Sequence, residues 1–176
     1  MARPSIILPL DINRTRRYLE ALCQIDREAF GKESWARKNF EHPLPSKFEL
    51  SRVALFEERP VGYLIAATYG GEYVHIYRLV VSSALRRKGI GAGLLRSFEH
   101  ACLEIGRHLG VTLESLRSRG DANHFYEQMG FKTISGEQLL DYLRRRERLN
   151  IKQEYHEISS QGESLVYFKP ITRARS

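Results

Sequence analysis

The sequence predicts an α/β (α+β) fold: a mixed, mostly antiparallel central sheet flanked by helices on both faces. Three observations carry this expectation. Strand-like apolar runs follow one another over residues 50–81, separated by short turns, which implies antiparallel pairing. From Gly91 the apolar spacing changes to the three-and-four pattern of a helix. Strand and helix patterns then alternate to the last apolar run. The 176 residues amount to one domain at roughly 150 residues per domain. A chain of that size buries enough surface to fold without a disulfide or metal staple.

The elements follow in order. Residues 1–13 contain a short apolar run broken by Pro9, too short for a signal peptide. No stretch approaches the ~20 apolar residues of a membrane span, so a soluble, cytoplasmic chain is expected. Asn13 is placed to cap a helix carrying Tyr18, Leu22, Ile25 and Ala29 at spacings of four, three and four. Ser34 reads as a second cap, for a short helix through Phe40 that Pro43 and Pro45 end. Residues 50–56 and 61–69 read as strands joined by a turn of Glu57, Glu58, Arg59 and Pro60. Gly70-Gly71 is a second turn, and residues 73–81 a third strand. The helix from Gly91 places Leu94, Leu95, Phe98, Ala101, Cys102, Ile105 and Leu109 on one face and stops at Gly110. A strand over 111–116 leads to a helix from about Asp121 to Met129, with Gly130 as C-cap. Residues 131–134 resume extended chain, 139–149 form another helix, and 164–168 close the sheet.

Composition narrows the function. Lys and Arg number 28 against 21 Asp and Glu, so the formal net charge, 28 − 21, is +7; the isoelectric point is near 9.6. A basic excess admits nucleic acid, a membrane surface or a phosphorylated ligand without choosing among them. The two cysteines, Cys23 and Cys102, form no C-x-x-C pair, which argues against a zinc ribbon or redox dithiol and fits a reducing compartment. Cys102 lies in a helical pattern as a small hydrophobe.

The densest chemical signal is Val80-Val81-Ser82-Ser83-Ala84-Leu85-Arg86-Arg87-Lys88-Gly89-Ile90-Gly91-Ala92-Gly93. A strand runs into a cationic, glycine-rich loop that opens a helix. Glycines let backbone N–H groups approach a ligand closely. A helix start adds unpaired donors and a partial positive charge, so the segment suits phosphate or pyrophosphate. It is not a Walker A loop, since G-x-x-x-x-G-K-[ST] is absent. It does not fit a dinucleotide fingerprint either, because the cations precede the glycines.

Here the sequence resembles the GNAT superfamily of acyl-CoA-dependent N-acyltransferases. Arg86-Arg87-Lys88-Gly89-Ile90-Gly91 matches that family's R/Q-x-x-G-x-G/A loop. Ala122-Asn123-His124-Phe125-Tyr126-Glu127-Gln128-Met129-Gly130-Phe131 matches its A-x-x-F/L-Y-x-x-x-G-F helix and strand start. The order and separation of the two motifs also fit. The resemblance covers roughly residues 48–131. The Phe30…Ser34-Trp35 element and Glu114 are similar to the branch that acetylates protein N-termini, such as the ribosomal-protein alanine acetyltransferases. Two departures stand out. The family often has Asn where this chain has Arg119. A basic helix, residues 137–149, also occupies an insertion at about 136–152 of the single domain spanning 1–176.

The resemblance implies acetyl-CoA as co-substrate, no metal, and a primary amine as acceptor. A protonated alkylamine, with a pKa of ~10.4 for lysine, must lose a proton before it attacks a thioester. The oxyanion that forms needs an N–H donor, and the departing thiolate needs a proton. Tyr126 is the implied general acid. His75, on the strand before the loop, and Glu114, on the strand before the Tyr126 helix, both stand as the base, directly or through water. The resemblance places the backbone of Leu79, Val80 and Val81 against the pantetheine, with the Val81 N–H as oxyanion donor. Arg86, Arg87, Lys88, Gly89, Ile90, Gly91 and Ala92 would hold the pyrophosphate, and Arg119 and Tyr126 complete the cofactor contacts.

The acceptor is expected to be a protein N-terminus or lysine. A small amine such as a polyamine or aminoglycoside is the alternative, as is an amine carried on tRNA. A module that binds acyl-CoA without turnover is a different class, and an intact Tyr126 and His75 argue against it. Glu33, Glu72 and Glu137 could attract a cationic amine. The nucleic-acid reading rests on Arg144, Arg145, Arg146 and Arg148, which would look the same on a solvated helix face with Glu147. No membrane partner is expected, and the chain is taken as a monomer or homodimer.

Overall fold

The computed structural model describes residues 5–69, 72–106, 109–148 and 164–171. The elements, in chain order, are β1 (Ile6–Pro9), α1 (Ile12–Phe30), α2 (Arg37–Glu41), α3 (Lys47–Leu50), β2 (Arg52–Phe56), β3 (Arg59–Tyr69) and β4 (Tyr73–Val81), followed by α4 (Ile90–Ile105), β5 (Gly110–Leu116), α5 (Gly120–Gln128), β6 (Lys132–Thr133), α6 (Gly136–Arg148) and β7 (Ser164–Pro170). The strands form one seven-stranded sheet in the order β1-β2-β3-β4-β5-β7-β6. β1 with β2, β2 with β3, β5 with β7 and β6 with β7 are antiparallel, while β4 and β5 are parallel. The sheet is mixed and mostly antiparallel, as the sequence predicts. The Gly70-Gly71 turn and Leu149 lie outside the described residues.

The chain divides into two compact units. One comprises Met1–Ala67 with Arg78–Gly106, the other Thr68–Tyr77 with Arg107–Ser176. β4 therefore contributes its first half to the second unit and its second half to the first.

In the first unit the N-terminal strand β1, absent from the sequence expectation, pairs along β2 from Ile6 opposite Leu55 to Pro9 opposite Arg52. Four residues ending in proline make a weak strand signal, yet proline is tolerated at a sheet edge. Helix α1 is capped by Asp11, whose carboxylate accepts from the Arg14 N–H at 2.8 Å, rather than by Asn13. Leu22 and Ile25 are buried as expected, with Leu19 and Cys23 beside them. Ser34 does not cap α2. It ends a short 3₁₀ turn over Gly31–Glu33, and the Asn39 side chain instead accepts from the Ala36 N–H at 3.0 Å. The hairpin between β2 and β3 turns at Glu57 and Glu58 alone, both at positive φ (49° and 64°), the geometry that matches strand twist. Helix α4 stops at Gly106, φ 71°, short of Gly110. Leu109, expected on its buried face, is therefore 57% exposed. Both cysteines are free and buried. Burial pushes the Cys102 thiol up to about 12, so it stays protonated and packs as a hydrophobe.

Residues 47–50 are helical, so the strand expected from Leu50 begins at Arg52. The buried Lys47 ammonium donates to the carbonyls of Asn39 (2.9 Å), Phe40 (2.7 Å) and His42 (2.8 Å). It thereby satisfies the carbonyls that end α2. Burial lowers the Lys47 pKa from 10.5 to about 8.

Asp26, on the buried face of α1, is fully enclosed. Its carboxylate accepts from the Tyr63 hydroxyl and the Trp35 N–H, each at 2.5 Å, and lies 3.7 Å from the Arg78 guanidinium on β4. Burial beside this carboxylate pushes the Tyr63 hydroxyl well above its ordinary value, so it remains a donor. Arg78 in turn donates to the Glu33 carbonyl at 2.7 Å and lies 3.8 Å and 5.0 Å from the Phe30 and Trp35 ring centres.

Removing one partner from a buried ion pair leaves the other charge uncompensated. Asp26→Ala should therefore cost about 3–5 kcal/mol in urea unfolding. A second expectation concerns pH. Between about 8 and 10.5 the unfolded chain keeps the Lys47 proton and the folded chain releases it, so this group's contribution to stability rises with pH. Denaturation across that window should show Lys47→Met less stable throughout and lacking the rise.

Candidate active site

In the first unit, the end of β4 is shaped by a close approach of β3. A Cβ on Gly62 would stand 2.8 Å from the Val80 carbonyl oxygen, so only glycine fits there without a shift. The Ser82 N–H donates to the Val61 carbonyl at 2.8 Å and carries the pairing past Val81. A 3₁₀ turn over Ser83–Leu85 follows. The chain then takes positive φ at Arg87 (60°) and Gly89 (79°) before α4 begins at Ile90. The first α-helical bond runs from the Gly93 N–H to the Gly89 carbonyl at 2.9 Å. The amides of Ile90, Gly91 and Ala92 thus occupy the first turn, where a helix offers its donors outward. Arg86, Arg87 and Lys88 are exposed. The Arg86 side chain turns back to donate to the Val81 carbonyl at 3.1 Å, which ties the loop to the strand end.

In the second unit, β4 pairs with β5 so that His75 lies opposite Thr112. Thr112 and Glu114 are two apart on β5 and share a face; on β4 the same face carries Tyr73, His75 and Tyr77. His75 is 2% and Glu114 8% exposed. The His75 Nδ1 is 2.9 Å from the Thr112 hydroxyl, and its ring meets Tyr77 edge-on with centroids 4.8 Å apart. Tyr142, buried on α6, donates its hydroxyl to Glu114 Oε1 at 2.7 Å and sets its ring 6.3 Å from His75. Beside this cluster a cavity of about 110 Å³ is lined by Tyr73, Thr112, Asp141, Tyr142, Arg145 and Phe168 among others. Arg145 donates to Glu72 at 2.9 Å and Asp141 at 2.8 Å, with its guanidinium 4.7 Å from the Tyr73 ring centre.

Tyr126 belongs to the other face. Its ring lies 6.0 Å from Phe131 and 5.9 Å from Tyr167, and Tyr167 pairs with Leu113, whose side chain points away from that of Glu114. Arg119 directly precedes α5, which Asn123 fastens to the end of β5 by donating to the Leu116 carbonyl at 3.0 Å. Among the described residues no group of three or more His, Cys, Asp or Glu could hold a metal ion, and no helix is long and apolar enough to cross a membrane.

Residues 16–145 match the family model described as an acetyltransferase (GNAT) domain. The chain belongs to the GNAT acetyltransferase family. No curated relative matches the sequence. Among solved structures, Ard1 from Thermoplasma volcanium is 18% identical over 96% of this chain and 99% of that chain, with a TM-score of 0.71. The ribosomal-protein-S18-alanine N-acetyltransferase from Escherichia coli is 19% identical over 98% and 97%, TM-score 0.68. Arabidopsis thaliana NAA60 in complex with acetyl-CoA is 17% identical over 96% and 100%, TM-score 0.69. At these identities the likeness is one of GNAT fold.

The structure brings both candidate bases, His75 and Glu114, to one buried face. Tyr142 is the residue the sequence reading missed. Its signal was the apolar set Leu139, Tyr142 and Leu143, which marks the buried side of α6. Arg145 is also reassigned. It holds α6 through Glu72, Asp141 and Tyr73 rather than extending as part of a free basic face, and Glu72 is engaged by it. The side chains of Arg146, Glu147 and Arg148 lie outside the described residues. Thr112→Val removes the partner of His75 Nδ1. Its expected cost is about 1–3 kcal/mol, that of an unsatisfied buried polar group, read by urea unfolding.

Proposed function

We propose that this chain is an acetyl-CoA-dependent N-acetyltransferase acting by direct attack in a ternary complex, with a protein N-terminus or lysine as acceptor. The observation that carries the reading is the buried His75 and Glu114 pair on one face of β4 and β5, in a chain of the GNAT family. A histidine and a carboxylate are the side chains suited to taking a proton from an ammonium near neutral pH. The neighbours support the donor and the acceptor class: one was solved with acetyl-CoA, and another is an S18-alanine N-acetyltransferase.

In this reading Arg86, Arg87 and Lys88, with the amides from Gly89 to Ala92, receive the pyrophosphate of the cofactor. The backbone of Leu79, Val80 and Val81 binds the pantetheine as an added strand would, the Val81 N–H meets the oxyanion, and Arg119 lies along the arm. His75 or Glu114, directly or through water, takes the proton from the acceptor amine. For base and acid both to act, the thioester would reach between β4 and β5, with His75 and Glu114 to one side and Tyr126 to the other. The amine nitrogen then bonds to the thioester carbon, the carbon–sulfur bond breaks, and Tyr126 protonates the leaving thiolate.

The test is acetyl-CoA turnover, read by thiol release, over peptides, polyamines, aminoglycosides and aminoacyl-tRNA. Peptide amines should be the acetylated class. Tyr126→Phe should lose about 10²–10⁴ in kcat, the range of a positioned acid. An undiminished Tyr126→Phe rate would remove the tyrosine from its role, and turnover only with small amines would reject the acceptor.

A further inference from the structure

The chemistry proposed above uses Glu114 and His75, but it does not use the element that covers them. Helix α6 crosses the β4–β5 face and delivers one hydroxyl to one oxygen of Glu114, at 2.7 Å. The same tyrosine ring lies against His75 and forms part of the cavity wall. Tyr142 is 5% exposed, so the contact is sheltered from water. The helix is seated by apolar contacts of Leu139 and Leu143 with the Tyr142 and Val166 cluster. Arg145, three residues past Tyr142, anchors it to Glu72 just before β4.

We propose that Tyr142 is a positioning residue for acyl transfer: α6 uses its hydroxyl to fix the Glu114 carboxylate toward His75 and to hold it ionised. This rests on the reading of His75 and Glu114 as the proton-accepting face. A neutral donor aimed at a carboxylate favours the charged form, and a carboxylate must be charged to take a proton from an amine. Among the described residues, the groups on the face of Glu114 include His75 and Tyr77 from β4, and Tyr142 from α6, with Asp141 and Arg145 on that same helix. From β7 the same face presents Val166 and Phe168, which do not titrate. Of these, Tyr142 has a donated hydrogen bond directly on a carboxylate oxygen.

The test uses the full chain and two readouts. The first is the carboxyl carbon resonance of Glu114, followed by NMR against pH in wild type and Tyr142→Phe. The second is the pH profile of kcat/KM for acetyl-CoA with a peptide amine. Losing the donated hydrogen bond should raise the Glu114 midpoint by about one pH unit and move the acidic limb of the rate profile upward with it. Arg145→Ala, which loosens the helix from its anchor without opening the core, should shift both in the same direction by less, and it stands in if Tyr142→Phe does not fold. A Glu114 midpoint unchanged in folded Tyr142→Phe overturns the proposal. So does a shifted midpoint with an unmoved rate profile. A wild-type chain without turnover sinks the proposed activity instead, and the resonance then decides alone whether Tyr142 tunes Glu114.

Discussion

A single strand, β4, is obliged to bury polar side chains along its length, and the surroundings are arranged to satisfy them. His75 and Arg78 are 2% and 5% exposed. A buried polar group without a partner costs several kilocalories per mole, and a buried charge more. Arg78 therefore requires the Asp26 carboxylate. Asp26 in turn fixes the Tyr63 hydroxyl on β3 and the Trp35 amide after α1. His75 requires Thr112 on β5. In the first unit the position of α1 and the path of the chain through Trp35 answer to Arg78, and in the second the register of β4 against β5 sets Thr112 opposite His75.

The two polar clusters are solved differently. Around Arg78 the partner is an opposite charge backed by aromatic rings, an arrangement suited to rigidity. Around His75 and Glu114 the contacts among the described residues include the hydroxyls of Thr112 and Tyr142. Other cations have local roles of their own: Arg86, Arg87 and Lys88 surround the α4 start, Lys47 meets the carbonyls ending α2, and Arg145 seats α6.

Much of this was legible in the sequence, and the failures have physical causes. The sequence predicts β4 with its observed bounds because its apolar run is long and lies between clear turns. The loop from Arg86 to Ala92 was read because glycines and cations before a helix leave a compact local signature. The family resemblance points to His75 and Glu114 as candidate bases, and the structure sets both on one buried face of β4 and β5. β1 was missed because four residues ending in Pro9 carry little periodicity and gain their structure from pairing with β2. The caps fall two residues from the expected positions: Asp11 rather than Asn13 accepts at the start of α1, and α2 starts after Ala36, which has no side-chain acceptor, so Asn39 supplies one. The predicted α4 is longer than the observed one because Leu109 continues the helical spacing after Gly106 has already turned the chain. Tyr142 could be seen as a buried helix residue, but its hydroxyl meets Glu114 only through a contact 28 residues distant in sequence, which spacing does not encode.

In the proposed reaction the buried face of β4 and β5 removes the proton from the acceptor amine. It is tested most directly by measuring kcat against pH, at saturating acetyl-CoA and peptide, for wild type, His75→Asn and Glu114→Gln. The expected result is that at least one of the two variants, still folded, loses about 10²–10⁴ in kcat together with the acidic limb of its profile. Two folded variants that both keep the wild-type rate and the wild-type pH dependence would contradict it.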